Sequence, residues 1–163
     1  MSGRPRARPA FDLNADAGER PRALLDGTEE ALLKVVTSVN VACGAHAGDV
    51  ETMRETLALA ARLGVAAGAH PGYPDRAGFG RASLGMSQGE IEASVYDQVC
   101  ALARVAESAG CELGHVKPHG ALYNTVVHHE DQAAAVVEAL VVHGGGLPVL
   151  GLPGSCIHRI AIE

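Results

Sequence analysis

The chain has 163 residues, a net charge of −6 at neutral pH, 47% hydrophobic residues, 3% aromatic residues and no tryptophan. That length bounds it to one domain or part of one. The hydrophobic fraction excludes a disordered chain, and the acidic balance argues against nucleic acid, which calls for a basic footprint.

With so few aromatics, the core has to be Ala, Val and Leu, the usual filling of parallel strands under helices. No apolar run approaches the roughly 20 residues that span a bilayer, and no signal-peptide core follows Met1. Cys43, Cys100, Cys111 and Cys156 show neither a C-x-x-C pair nor zinc-ribbon spacing. These features predict a cytoplasmic, reduced protein without a membrane partner. Arg4, Arg6 and Arg8 sit among Pro and Ala, so residues 1–9 read as a frayed tail and 10–163 as a single domain.

Residues 10–14 read as a first strand, leading into an acidic, glycine-containing loop at 15–19. Pro21 and Gly27 punctuate the connection to a short helix over 28–36, with Glu29 and Glu30 in its first turn, where the helix dipole favours them. A buried strand follows at 38–42. Asp49 caps a helix over 50–63 that Gly64 ends. Strand three, 65–69, runs into a loop over 70–86, long enough to suggest a lid or binding loop. Ser87-Gln88-Gly89-Glu90 is a capping-box pattern and opens a helix over 91–109. Strand four is 112–116, followed by a loop over 117–127, a helix near 131–142, strand five at 147–152 and the start of another helix. Five β-α steps fit either an open doubly wound sheet or a barrel carried in part.

Three strands end in the same way. Asn40 to Asp49, Gly68 to Gly72 and His115 to Gly120 each place a histidine just past a strand: His46, His70 and His119. In a parallel α/β protein all strand C-termini lie on one face, so these rings should converge. Asp12, Asn14, Asp16 and Glu19 cluster at the end of strand one; paired acids there suit general-base work or a hard cation, or merely an Asx-turn. Asp49 alone is more often an N-cap. Pro118 fixes Lys117, a natural clamp for carboxylate or phosphate, and Arg81 sits where a closing loop brings it onto an anion. Tyr73, Tyr123 and Asn124 offer hydrogen bonds. His115 lies inside strand four, where it packs or hydrogen-bonds. His128, His129, His143 and His158 read as surface. Neither a P-loop nor a G-x-S-x-G elbow occurs.

Five stretches together, Asp12 to Glu19, Asn40 to Asp49, Gly68 to Asp75, Gly78 to Arg81 and His115 to Asn124, resemble the lactam-utilization LamB/YcsF family in the order in which its motifs occur. One departure is Arg20-Pro21, where the family commonly has an aromatic-glycine step. The resemblance implies a seven-stranded β/α barrel of the glycoside hydrolase/deacetylase type, of which this sequence carries about five β-α units. It also implies the activity of the A subunit of an ATP-dependent 5-oxoprolinase, which cleaves 5-oxo-L-proline to L-glutamate with partner subunits B and C. An incomplete barrel favours association, so a homo-oligomer is also expected. On that reading Asp16, His46, His70 and His119 are catalytic, and Asn14, Lys117, Arg81, Asp49 and Tyr123 bind substrate, with ATP as cofactor. The alternatives are an amide or acetyl hydrolase that works without ATP on a divalent metal, with Asp12, His46 and His70 as ligands, and a non-catalytic substrate-binding component.

Overall fold

The computed structural model describes residues 11–144 and 146–162. Four strands stand side by side, all parallel and in sequence order: β1 (Asn14–Ala17), β2 (Ser38–Ala42), β3 (Ala66–His70) and β4 (Leu113–Val116). A parallel bridge between Val116 and Val149 extends the sheet past β4. Seven helices are described: α1 (Pro21–Leu25), α2 (Thr28–Leu33), α3 (Val50–Leu63), α4 (Gln88–Ser108), α5 (Gly120–Thr125), α6 (Glu130–His143) and α7 (Cys156–Ile162). Successive helices pack on one another, α2 on α3, α3 on α4, α4 on α6 and α6 on α7. A doubly wound sheet reverses its strand order at a switch point; unbroken order with one layer of helices is the winding of β/α barrels. The expected α/β architecture is therefore present. The tail expected at 1–9 and the strand start expected at Ala10 lie outside the described residues.

The strand register divides the sheet into two faces. Ala17, Val39, Val41, Ala67, Ala69 and Val116 belong to the apolar core with Leu57, Val95, Val99 and Leu102 of the helices. The opposite face carries Asn14 and Asp16, Ser38 and Asn40, Gly68 and His70, then His115. Asp16 pairs with Asn40 and Asn40 with Gly68 across the ladder. The His115 ring lies over Gly68, where a built Cβ would stand 2.3 Å from its Cδ2. Glycine there makes room for a buried imidazole in the interior of the sheet.

Several elements begin where the sequence places them. Asp49 accepts from Thr52 N at 2.8 Å, Gly64 closes α3 with φ 70°, and Ser87 and Glu90 form the capping box of α4. Others differ. β1 starts at Asn14 rather than ending there, because its Asn-Ala-Asp-Ala alternation faces a polar interior and not an oily one. Apolar Phe11 is left 73% exposed before it. α1 and α5 occupy stretches expected as loop. Strand five is reduced to one bridge around Pro148, which has no N–H to donate to a ladder.

Candidate functional site

Each strand end delivers its side chain through a specific local device. After β1, Gly18 turns with φ 70° and its N–H donates to the buried Glu29 carboxylate of α2, which sets Glu19 over the sheet end. After β2, Gly44 and Gly48 adopt φ 92° and 75° and close a tight turn with His46 inside it. The Arg76 guanidinium donates to both outer carbonyls of that turn, Gly44 O at 2.8 Å and Gly48 O. After β3, the buried Gln98 amide of α4 exchanges two hydrogen bonds with Gly72, at 3.0 and 2.9 Å, and steadies the step that follows His70. After β4, Lys117 N and His119 N donate to Ala69 O and Pro71 O at 2.9 and 2.8 Å.

The histidines meet. His46 and His119 stack with ring centroids 3.7 Å apart and 3° between planes, and His70 stands edge-on to both. His70 Nδ1–H donates to Lys117 O at 2.6 Å, and His119 Nε2–H donates to Phe79 O at 2.8 Å. These carbonyls accept only, so they fix both tautomers. The remaining nitrogens, His70 Nε2 and His119 Nδ1, face each other at 3.0 Å. Glu19 Oε1 lies 3.3 Å from His46 Nε2, 3.3 Å from His119 Nδ1 and 4.0 Å from His70 Nε2. Glu19 with the three histidines is a group compatible with a divalent metal.

Beside this group a cleft of about 470 Å³ is lined by Asp16, His70, Arg81, Lys117, His119 and Tyr123, among others. Asp16 Oδ1 accepts from Lys117 Nζ at 2.9 Å and from Asn40 Nδ2 at 2.7 Å, and stands 3.4 Å from His70 Nε2. Asn40 also bonds Asn14 and accepts from His115 Nε2 at 2.8 Å, so His115 hydrogen-bonds as well as packs. Arg81 is exposed, with its guanidinium 5.7 Å from the Phe79 ring, and no carboxylate pairs with it among the described residues. The long loop is folded down: Asp75 caps it through Gly78 N at 2.8 Å, and a Cβ on Gly80 would approach His46 Cβ at 2.8 Å. Phe79 takes a left-handed φ of 57°, uncommon for a bulky residue, with its ring edge-on to His46 and His119.

Burial pushes His46 down and His119 down to about 4. Burial alone would raise Glu19 and Asp16; hydrogen bonds and the surrounding imidazoles, with Lys117 and Asn40 in the case of Asp16, outweigh it and hold both below the ordinary carboxylate range. Neutral His46 and His119 beside ionised carboxylates are the protonation state that cation ligation requires. Cys43, in the same motif as His46, is no nucleophile: complete burial pushes its thiol up to about 12.

Two residues expected here lie elsewhere. Asp12 precedes β1 and hydrogen-bonds Ser38 Oγ at 2.6 Å and Thr37 Oγ1, at the opposite end of the strands from the histidines. It is therefore not part of the group formed by Glu19, His46, His70 and His119. Asp49 is exposed, its carboxylate engaged by Thr52 N and Oγ1 at the start of α3, and it does not line the cleft. Asn14 stands one pleat below Asp16 and supports Asn40 from there. Tyr73 is buried in the core and donates to Gln132. Glu19, which the sequence marks only as one of three acids clustered with Asn14, proves central. Arg76 carries no signal in the sequence, since its partners lie 28 and 32 residues away.

A barrel-type parallel sheet with imidazoles and carboxylates gathered at its strand ends defines the class: an α/β protein with a polar site at its strand ends. The LamB/YcsF family model matches residues 11–163, and the chain belongs to that family. It is 52% identical over 153 residues to a protein of Streptomyces coelicolor named as the A subunit of 5-oxoprolinase, covering 94% of this chain and 61% of that protein. The protein of the same name from Chloroflexus aggregans is 49% identical over 148 residues, covering 91% of this chain and 59% of that one. A crystal structure of the lactam utilization protein from Thermus thermophilus superposes with a TM-score of 0.84 at 39% identity, covering 93% of this chain and 62% of that chain. The chain thus spans about three fifths of the length of these relatives.

Proposed function

We propose that this chain carries the strand-end site of the A subunit of a 5-oxoprolinase, opening the lactam of 5-oxo-L-proline to L-glutamate with cleavage of ATP. The observation that carries the reading is the meeting of Asp16, His70, His119, Lys117 and Arg81 at one cleft, with His46 and Glu19 directly behind. The names of the relatives supply the substrate. Their designation as one lettered subunit supports a multi-subunit assembly, which in this reading forms with subunits B and C in the cytoplasm. No described helix is long and apolar enough to cross a membrane.

A lactam carbonyl is a poor electrophile, and phosphoryl transfer from ATP to its oxygen makes water attack easier. Lys117 and Arg81 are the cations placed to hold the substrate carboxylate and the phosphoryl oxygens, with Tyr123 beside them. Asp16 Oδ1 carries two donors, while its Oδ2 is left to orient the attacking water. When Lys117 moves onto the substrate's anionic groups, Asp16 loses its charge partner and gains basicity, so the proton acceptor strengthens as substrate binds.

The test is ATP-dependent release of glutamate from 5-oxoproline in the complex reconstituted with subunits B and C. Asp16→Asn is expected to lower kcat by at least about 100-fold, and His46→Ala to abolish turnover; unchanged turnover in either variant refutes the assigned role. The four-residue group at Glu19 favours a second reading, hydrolysis of an amide or acetyl group on a divalent cation without ATP. That reading requires turnover with ATP omitted and its loss on adding a chelator.

A further inference from the structure

We infer that Glu19 Oε1, His46 Nε2, His70 Nε2 and His119 Nδ1 bind one divalent transition-metal ion of the zinc or cobalt type, and not Mg²⁺ or Ca²⁺.

Two tautomers are fixed by their surroundings. Lys117 O takes the Nδ1–H of His70 and Phe79 O takes the Nε2–H of His119. A neutral ring in either place has one bare lone pair left, and the two nitrogens that carry them stand 3.0 Å apart. Such a contact is repulsive unless something positive lies between. The carboxylate oxygen Glu19 Oε1 joins the same point and adds negative charge to it. Glu19 Oε1 and His46 Nε2 are buried atoms without a hydrogen-bond partner, although both belong to strongly polar groups and the His46 side chain has no solvent exposure. Buried polar atoms without partners cost free energy that a ligand removes. Unless His46 carries its proton on Nε2, 3.3 Å from Glu19 Oε1, the four atoms have no donor among them, and one cation satisfies all four at once.

Ligand atoms held at 2.0–2.1 Å around one tetrahedral ion stand about 3.3 Å apart; Glu19 to His46, Glu19 to His119 and His70 to His119 are 3.3, 3.3 and 3.0 Å, Glu19 to His70 is 4.0 Å, and all four atoms lie within 4.8 Å of one another, so the stacked rings of His46 and His119 have to turn apart for both to reach one ion. The donor set then selects the metal. Three imidazole nitrogens and one carboxylate oxygen suit Zn²⁺, Co²⁺ or Ni²⁺, whereas Mg²⁺ and Ca²⁺ call for oxygen. The carbonyls of Lys117 and Phe79 are the outer partners that fix ring orientation at such centres. Phe79 O is presented by a residue in left-handed backbone, which gives that strained position a purpose. Asp12 takes no part.

Binding can be read without turnover, so its failure and the failure of the proposed reaction are distinguishable. The metal-stripped protein, in the complex with its partner subunits, is titrated with Co²⁺ and followed by visible d–d absorption. One equivalent is expected, displaced by Zn²⁺ and not by millimolar Mg²⁺. Glu19→Gln and His119→Ala are expected to weaken Co²⁺ binding by at least about 100-fold, and Asp12→Asn to leave it unchanged. Should His119→Ala fail to fold, Glu19→Gln, which preserves volume, carries the test alone, with far-UV circular dichroism as the control. Absence of a stoichiometric Co²⁺ spectrum in the parent protein, displacement by Mg²⁺, or a Glu19→Gln protein that titrates like the parent overturns the proposal.

Discussion

His115 shows how far one side chain reaches in this interior. Its ring occupies the space over Gly68 and donates to Asn40 Oδ1, and Asn40 in turn donates to Asp16 and Asn14. A substitution at position 115 therefore acts on Asp16 through one intermediate amide. Burial lowers the His115 imidazole, with the charge of Asp12 opposing. The unfolded chain binds a proton near pH 6.5 and the folded protein does not, so stability is fully present above that pH and is lost as the pH falls toward the depressed folded value. Each pH unit spent in that window costs about 1.4 kcal/mol per such group. We predict that denaturant midpoints of the metal-free protein fall as the pH drops below about 6.5, and that His115→Gln, which retains a donor for Asn40, makes the fall shallower. Equal slopes in the two proteins would show that His115 stays protonatable in the fold.

At the scale of elements, the sequence is most legible where local chemistry decides. The start of α3 at Asp49, its end at Gly64 and the capping box of α4 depend on contacts within four residues, and all three are present. β1 departs from its expected place because strand character is ordinarily sought in apolar residues, while its inward residues Asn14 and Asp16 answer to a polar interior. The consequence is visible in Asp12, which moves from the expected site to the far end of the sheet. Asp49 illustrates the opposite ambiguity, since a carboxylate in a glycine-rich motif reads equally as cap or as ligand. The bonds to Thr52 favour the cap. We predict that Asp49→Ala lowers unfolding free energy by about 1 kcal/mol while the KM for substrate in the reconstituted complex stays within error of the parent. A raised KM with unchanged stability would return Asp49 to the binding site. The grip of Arg76 on Gly44 and Gly48 is invisible in the same motif, because it joins two loops that only the folded sheet brings together.

Across the whole molecule, the convergence of His46, His70 and His119 is legible because it follows from parallel topology alone: strands that repeat the same ending must present it on the same face. What topology cannot supply is the fourth member. Glu19 reaches the group through the Gly18 turn and the Glu29 hydrogen bond, both tertiary. The four ligand atoms therefore come from four successive strand ends, and a cation held there ties together the β1, β2, β3 and β4 units at once. Binding of that kind stabilises the global fold rather than one loop. At a free concentration 100 times its dissociation constant, a ligand specific to the folded state adds about 2.7 kcal/mol, which for a domain of this size is a rise of about 5–10 °C in Tm. We predict that rise on adding Zn²⁺ to the stripped protein, its reversal by chelator, and its absence in Glu19→Gln. A Tm that does not respond to Zn²⁺ would mean that the facing imidazoles share a proton instead of a metal.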